Sequence, residues 1–227
     1  GGHLDRINSM LSRYGIAPVF SSDNENSIAI EHLFCDIQPS NDSDEPLVSI
    51  IMTAYGRDEY LDVAINSILS QTHQNIELII VDDCSPDDAY EYLLSRSEHE
   101  PRLRVMQVAE NGGTYLAKNS AITHAKGEYI GFMDSDDWTH PQRIERQLAV
   151  LINDPNCRAV CHSYFRVNEF GDIFYKGTGA IRLACISLLA QRSVFDILGH
   201  FDSLRVGADT EFIERIQAYW GADSFYH

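Results

Sequence analysis

From Leu47 onward the chain alternates between two hydrophobic periods, and this alternation limits the possible folds more than any other feature. Leu47–Ala54 (LVSIIMTA) is a near-continuous apolar run, as a parallel strand buried on both faces requires. Asp58–Leu69 then sets Leu61, Ala64, Ile65, Ile68 and Leu69 on one helical face. Ile76–Asp83 (IELIIVDD) reads as a second strand ending in an acid pair. After it, Ser85 fits an N-cap, Pro86 the first helical position and Asp88 the capping-box acid of a helix reaching about Ser95. Leu103–Ala109 is a third strand, Asn111-Gly112-Gly113 a turn, and Thr114–Ala125 a helix closed by Lys126-Gly127. Tyr129–Met133 is a fourth strand, and Pro141–Ile152 a helix with Ile144, Leu148 and Leu151 inward. This β-α-β-α-β-α-β order predicts an α/β domain built on a mostly parallel sheet.

Both flanks are less regular. Leu4–Tyr14 has a helical pattern, and Gln38–Pro46 (QPSNDSDEP) is an acidic linker bracketed by prolines. The spacing therefore divides the chain into an N-terminal extension, residues 1–46, too small for a core of its own, and a main domain, residues 47–227. The extension is expected to dock on the main domain or on a partner. Past Asn153, Ala159–Val167 and Ile173–Lys176 suggest a hairpin turning at Gly171. Val206–Gly221 is a helix with Asp209 near its start, where the dipole favours a carboxylate.

Ligands of open α/β sheets bind outside the carboxyl ends of the strands. Three polar clusters fall there: Thr53-Ala54-Tyr55, Asp82-Asp83, and the acids Asp134, Asp136 and Asp137 of GEYIGFMDSDDW. Carboxylates packed this closely repel one another unless a cation or strong donors neutralise them. Mg²⁺ and Mn²⁺ are hard cations that take oxygen ligands and bridge carboxylates to phosphates. The competing reading is an acidic turn before a helix. A formal net charge of −17 argues against nucleic acid as a partner. It also means that an anionic ligand would need a metal, a helix N-terminus or a few basic groups. Five cysteines without a disulfide spacing point to reduced thiols, with Cys157 and Cys161 read as buried rather than metal-bound. No apolar run is long enough to span a bilayer.

Taken together, the ordered segments resemble family 2 glycosyltransferases of the GT-A fold. VSIIMTAYGRDEYLDVAINSILSQT is similar to that family's opening strand and helix, and ELIIVDDCSPD to its second strand with the nucleotide-contacting acids. NGGTYLAKNSAI resembles its Asn-x-Gly…Ala-Arg-Asn segment, with Lys118 where arginine is usual. GEYIGFMDSDDWTHP resembles the metal-binding DXD segment. SLLAQRSVFDILGHFD followed by GADTEF resembles the acceptor side and the catalytic-base helix, with Ala208-Asp209 in place of the usual Glu-Asp pair.

The resemblance implies a nucleotide-diphospho-sugar donor, usually UDP-linked, and transfer with inversion at the anomeric carbon. It implies Thr53, Tyr55 and Asp83 around base and ribose, and Lys118 at the pyrophosphate or the base. Asp134, Ser135 and Asp136 would clamp the diphosphate, and a Mn²⁺ or Mg²⁺ ion would sit on Asp134, Asp136 and Asp137. Asp209 would be the general base. The acceptor would be a glycan, a lipid-linked sugar or a protein. The location expected is cytoplasmic, at the inner face of the membrane, within a longer chain carrying further domains.

Two other classes compete. One is a non-catalytic module of the same fold that binds nucleotide or acts as a scaffold; Ala208 and Lys118 leave room for it. The other is a nucleotidyltransferase, which would carry a Gly-rich basic loop after the first strand, and Ala54-Tyr55-Gly56-Arg57-Asp58 matches that poorly.

Overall fold

The strand–helix alternation becomes a seven-stranded sheet covered by helices. The computed structural model describes residues 2–23, 28–40, 44–167, 173–174, 182–204 and 206–227. In chain order the elements are α1 (His3–Arg13), β1 (Phe20–Ser21), β2 (Leu33–Phe34), β3 (Val48–Ala54), α2 (Leu61–Leu69), β4 (Ile76–Asp82) and α3 (Ala89–Ser97). Next come β5 (Leu103–Gln107), α4 (Thr114–Ile122), β6 (Tyr129–Asp134), α5 (Arg143–Asn153), β7 (Ala159–Tyr164), β8 (Arg166–Val167) and β9 (Ile173–Phe174). The chain closes with β10 (Arg182–Gln191), α6 (Arg192–Leu198), α7 (Ala208–Trp220) and β11 (Phe225–Tyr226).

The sheet order is β11-β7-β10-β6-β3-β4-β5. Strands β6, β3, β4 and β5 are parallel neighbours, and β10 runs antiparallel to both β6 and β7. Because successive side chains alternate faces, each central strand feeds two cores. Val48, Ile50, Met52 and Ala54 pack toward α2 and α5 with Leu61, Ile65, Ile68, Ile144 and Leu148. Ile51, Ile79, Ile130 and Phe132 pack on the opposite face with Ala117 and Ala121 of α4 and Phe212 and Ile216 of α7. The same parity carries Thr53 and Asp134, the last residues of their rows, to the α4 side.

The structure redraws several expected local features. α3 starts at Ala89, and Asp88 before it makes no side-chain cap. Ser85 is not a helix cap either: its hydroxyl donates to Asp82 and accepts from the Gly56 amide at 2.7 Å, tying two loops together. α5 begins at Arg143, two residues past Pro141. β7, expected as part of the first strand of a hairpin, pairs instead with the long strand β10 and with β11, while β8 and β9 form the expected hairpin pair. Its turn, Asn168–Asp172 with Gly171, lies outside the described residues. The apolar stretch Ser187–Leu198 divides into the end of β10 and α6.

The N-terminal segment lies against the start of α5. The Ala17 amide donates to Gln142 Oε1 at 2.9 Å, and His140 Nε2 meets the Ala17 carbonyl at 3.0 Å. Arg146 donates to the carbonyls of Tyr14 and Gly15. Among the described residues no helix is long and apolar enough to cross a membrane.

Candidate active site

Strand register sets the site. Thr53 of β3 lies beside Val81 of β4 and beside Asp134 of β6, so the carboxyl ends of three strands meet in one row. The Thr53 hydroxyl is 2.7 Å from that of Thr114, the first residue of α4. The acid pair after β4 divides its work. Asp82 is fully buried, accepting from the Ser85 amide and hydroxyl and from Gln107 Nε2 at 2.9 Å. Asp83 accepts from the amides of Gly112 at 3.0 Å and Gly113 at 2.9 Å, which fixes the loop that leads into α4. The following residue, Cys84, has φ of +58° and an exposed thiol. Tyr55 is 60% exposed at the mouth of this row.

Asp134, Asp136 and Asp137 offer carboxylate oxygens that all lie within 4.8 Å of one another. Burial and the charges of Asp136 and Asp134 push Asp137 up to about 6. Asp134 is raised as well, by burial first, with Lys118 opposing the rise. An all-oxygen, triply anionic set held against its own repulsion fits a hard divalent cation. Ser135 lies between the acids, partly exposed.

Lys118 is not a solvated helix lysine. Its side chain is 1% exposed, with Nζ 3.7 Å from Asp134 Oδ1 and 5.6–5.7 Å from the ring centres of Tyr115 and Phe132. Burial lowers its pKa, and the charges of Asp134 and Asp209 work against that. Asp209, in the first turn of α7, accepts a hydrogen bond from the Tyr115 hydroxyl at 2.9 Å. One face of α4 thus reaches the acids of β6 through Lys118 and the carboxylate of α7 through Tyr115, three residues apart as helical neighbours are.

Thr53, Asp83, Lys118, Asp134 and Asp209 are therefore joined through α4 and the loop before it. Tyr55, Ser135 and Asp136 lie at the open rim. Two participants were missed from the sequence. For Tyr115, an aromatic within a helical pattern, the spacing of three from Lys118 is the signal that could have found it. For Arg143, a charged residue in an amphipathic helix, the pattern points to the solvated side. Arg143 is instead buried, donating to the carbonyls of Phe132 at 2.7 Å and Ser187 at 3.2 Å. Burial lowers it to about 10, while Cys161, Asp137 and Asp134 favour its charged form. Trp138 is half-buried, its ring edge-on to His140 with centroids 6.1 Å apart. The five cysteines are free, with Cys157 and Cys161 buried.

Residues 49–210 match the profile of glycosyl transferase family 2. The chain is 37% identical over 108 residues, 48% of its length, to a Bacillus subtilis protein named for glycosyl transfer in teichuronic acid biosynthesis. That match spans 43% of the relative, so the chain corresponds to less than half of it. Residues 1–349 of S. aureus TarS, solved in complex with UDP-GlcNAc, superpose with a TM-score of 0.62 at 19% identity, covering 80% of this chain and 56% of that one. The mannosyltransferase PcManGT of Pyrobaculum calidifontis, solved with GDP-Man and Mn²⁺, gives 0.62 at 19% identity over 99% of this chain and 64% of that one. These likenesses identify the fold as GT-A. With the profile covering most of its length, the chain belongs to glycosyl transferase family 2.

Proposed function

We propose that the chain is the catalytic domain of an inverting glycosyltransferase that moves a hexosyl or N-acetylhexosaminyl group from a UDP-sugar to an acceptor hydroxyl. The observation that carries this reading is the pairing across α4: Lys118 against Asp134 on one side, Tyr115 against Asp209 on the other. A scaffold that only binds nucleotide has no use for a carboxylate tied to the same helix as the acid cluster.

In this reading Thr53, Tyr55 and Asp83 hold the nucleoside. Asp83, with both oxygens already fixing the Gly112–Gly113 loop, orders the pocket wall as it does so. Asp134, Ser135 and Asp136 face the diphosphate, and Asp134, Asp136 and Asp137 would hold Mn²⁺ or Mg²⁺. A divalent cation at those acids supplies charge neutralisation for the departing nucleoside diphosphate. Lys118, buried behind Asp134, adds a fixed positive charge to the same region. Asp209 accepts the proton of the acceptor hydroxyl as its oxygen attacks the anomeric carbon from the face opposite the diphosphate. The binding of UDP-GlcNAc by TarS and of GDP-Man with Mn²⁺ by PcManGT supports a nucleotide-sugar donor and a metal. The acceptor class stays as broad as a glycan, a lipid-linked sugar or a protein.

Asp209→Asn tests the reading. General-base catalysis contributes about 10²- to 10⁴-fold, so kcat for UDP release should fall by that factor while UDP affinity in Mn²⁺ is retained. A variant with native turnover would remove Asp209 from the chemistry.

A further inference from the structure

The hydrogen bonds at Asp209 are one-sided. The Tyr115 hydroxyl donates to Oδ1 at 2.9 Å, and the Thr210 amide donates to the same oxygen at 2.9 Å. Among the described residues no donor reaches Oδ2. Tyr115 is only 8% exposed, and its ring packs on Phe201 with centroids 5.5 Å apart, so the direction of the phenol is set by the core and not by solvent. Phe201 is itself packed against Phe212 of α7, the helix that carries Asp209. Burial and the neighbouring carboxylate push the Tyr115 phenol up to about 12, which keeps it a donor at neutral pH.

We propose that Tyr115 is the positioning residue of Asp209: it occupies Oδ1, fixes the plane of the carboxylate and leaves Oδ2 as the oxygen that takes the acceptor proton. This rests on Asp209 being the base, as proposed above. In the step, the acceptor oxygen forms a bond to the anomeric carbon. The bond from that carbon to the diphosphate oxygen breaks, its electron pair leaving with the diphosphate, and the hydroxyl proton passes to Oδ2. Tyr115 keeps its own proton throughout. The other titratable groups near Asp209 are Lys118 on α4, Asp134 on β6, Cys161 on β7 and Cys185 on β10. Among the described residues none of these donates a hydrogen bond to it, so Tyr115 is its side-chain donor.

The test compares Tyr115→Phe with Asp209→Asn in the full chain. UDP release is measured from UDP-GlcNAc, UDP-glucose and UDP-galactose with Mn²⁺, and UDP affinity by calorimetry. A hydrogen bond to a charged group is worth about tenfold to a hundredfold. Tyr115→Phe should therefore lose about that factor in kcat, with donor KM and UDP affinity within about twofold of native. The acidic limb of its kcat profile should move to higher pH, because the ionised carboxylate has lost a donor. A native rate with an unmoved limb overturns the positioning role while leaving Asp209 as the base, provided Asp209→Asn is inactive. A lower rate with lost UDP affinity and an unmoved limb also overturns it, since that is a packing defect. An active Asp209→Asn overturns both readings. A urea-unfolding cycle over Tyr115→Phe, Asp209→Asn and the double variant tests the contact without turnover: coupled effects support it and additive effects overturn it.

Discussion

At the scale of single residues, the site is built from side chains that have given up exposure for position. Asp82 and Asp83 are adjacent in sequence and opposite in task, one holding Ser85 and Gln107, the other the Gly112–Gly113 amides. Between them and Ser85 the backbone turns through Cys84 at φ +58°, a region where a side chain costs energy and glycine does not. Cys84→Gly should therefore stabilise the fold by about 0.5–1 kcal/mol, read as a higher urea midpoint at unchanged m-value. A lower midpoint would mean that the thiol makes a compensating contact. The acids of this row were legible because each follows an apolar run, and a strand end in an open α/β sheet is where ligands bind. Tyr115 and Arg143 were not legible. Both sit on helices whose periodicity explains them as packing or as solvated surface, and only the partner across the fold reveals their polar ends.

At the scale of elements, two glycines of the β6 region separate close backbone approach from ordinary side-chain packing. A Cβ on Gly127 would lie 2.5 Å from the Ser49 amide nitrogen and 2.7 Å from the Leu47 carbonyl oxygen, at the entry of β3. A Cβ on Gly131 would meet the ends of Ile50 and Leu189, at 2.9 and 3.0 Å, which can rotate. Gly127→Ala should cost more than about 3 kcal/mol and Gly131→Ala about 1–3 kcal/mol, by urea unfolding. The reverse order would place the tight contact in the wrong strand.

The loop after β6 makes a second prediction at this scale. The folded chain holds the Asp137 proton to about 6, above the ordinary carboxylate value, so ionising Asp137 weakens the fold. In metal-free protein its contribution to stability is present at low pH and is lost as pH rises through about 4 to 6. A bound cation opposes that loss, so Mn²⁺ should raise Tm more at pH 7 than at pH 5. Equal shifts at the two pH values would contradict the acids as its ligands.

At the scale of the whole molecule, the order of the central strands and helices could be read from hydrophobic periodicity alone, because strands buried on both faces leave long apolar runs. The β7–β10 half could not, since its pairing joins segments separated by irregular chain, and local pattern says nothing about which of several short strands meet. The N-terminal segment is fixed by backbone contacts from Tyr14, Gly15 and Ala17 to His140, Gln142 and Arg146, just downstream of the acid cluster. These are bonds to backbone atoms, which no sequence pattern announces. A chain starting at residue 47 should melt at lower temperature and bind UDP with Mn²⁺ more weakly, since the turn after the acids loses its brace. Unchanged melting and affinity would make the segment a passenger.

In the proposed function, Asp134, Asp136 and Asp137 at the carboxyl end of β6 hold the donor diphosphate through a divalent ion. Calorimetric titration of UDP into the native chain and into Asp136→Ala, each with and without Mn²⁺, tests this directly. The expected result is tight UDP binding only for the native chain in Mn²⁺, with the variant in Mn²⁺ no better than the native chain without it. Equal UDP affinity of the native chain with and without the metal would contradict it.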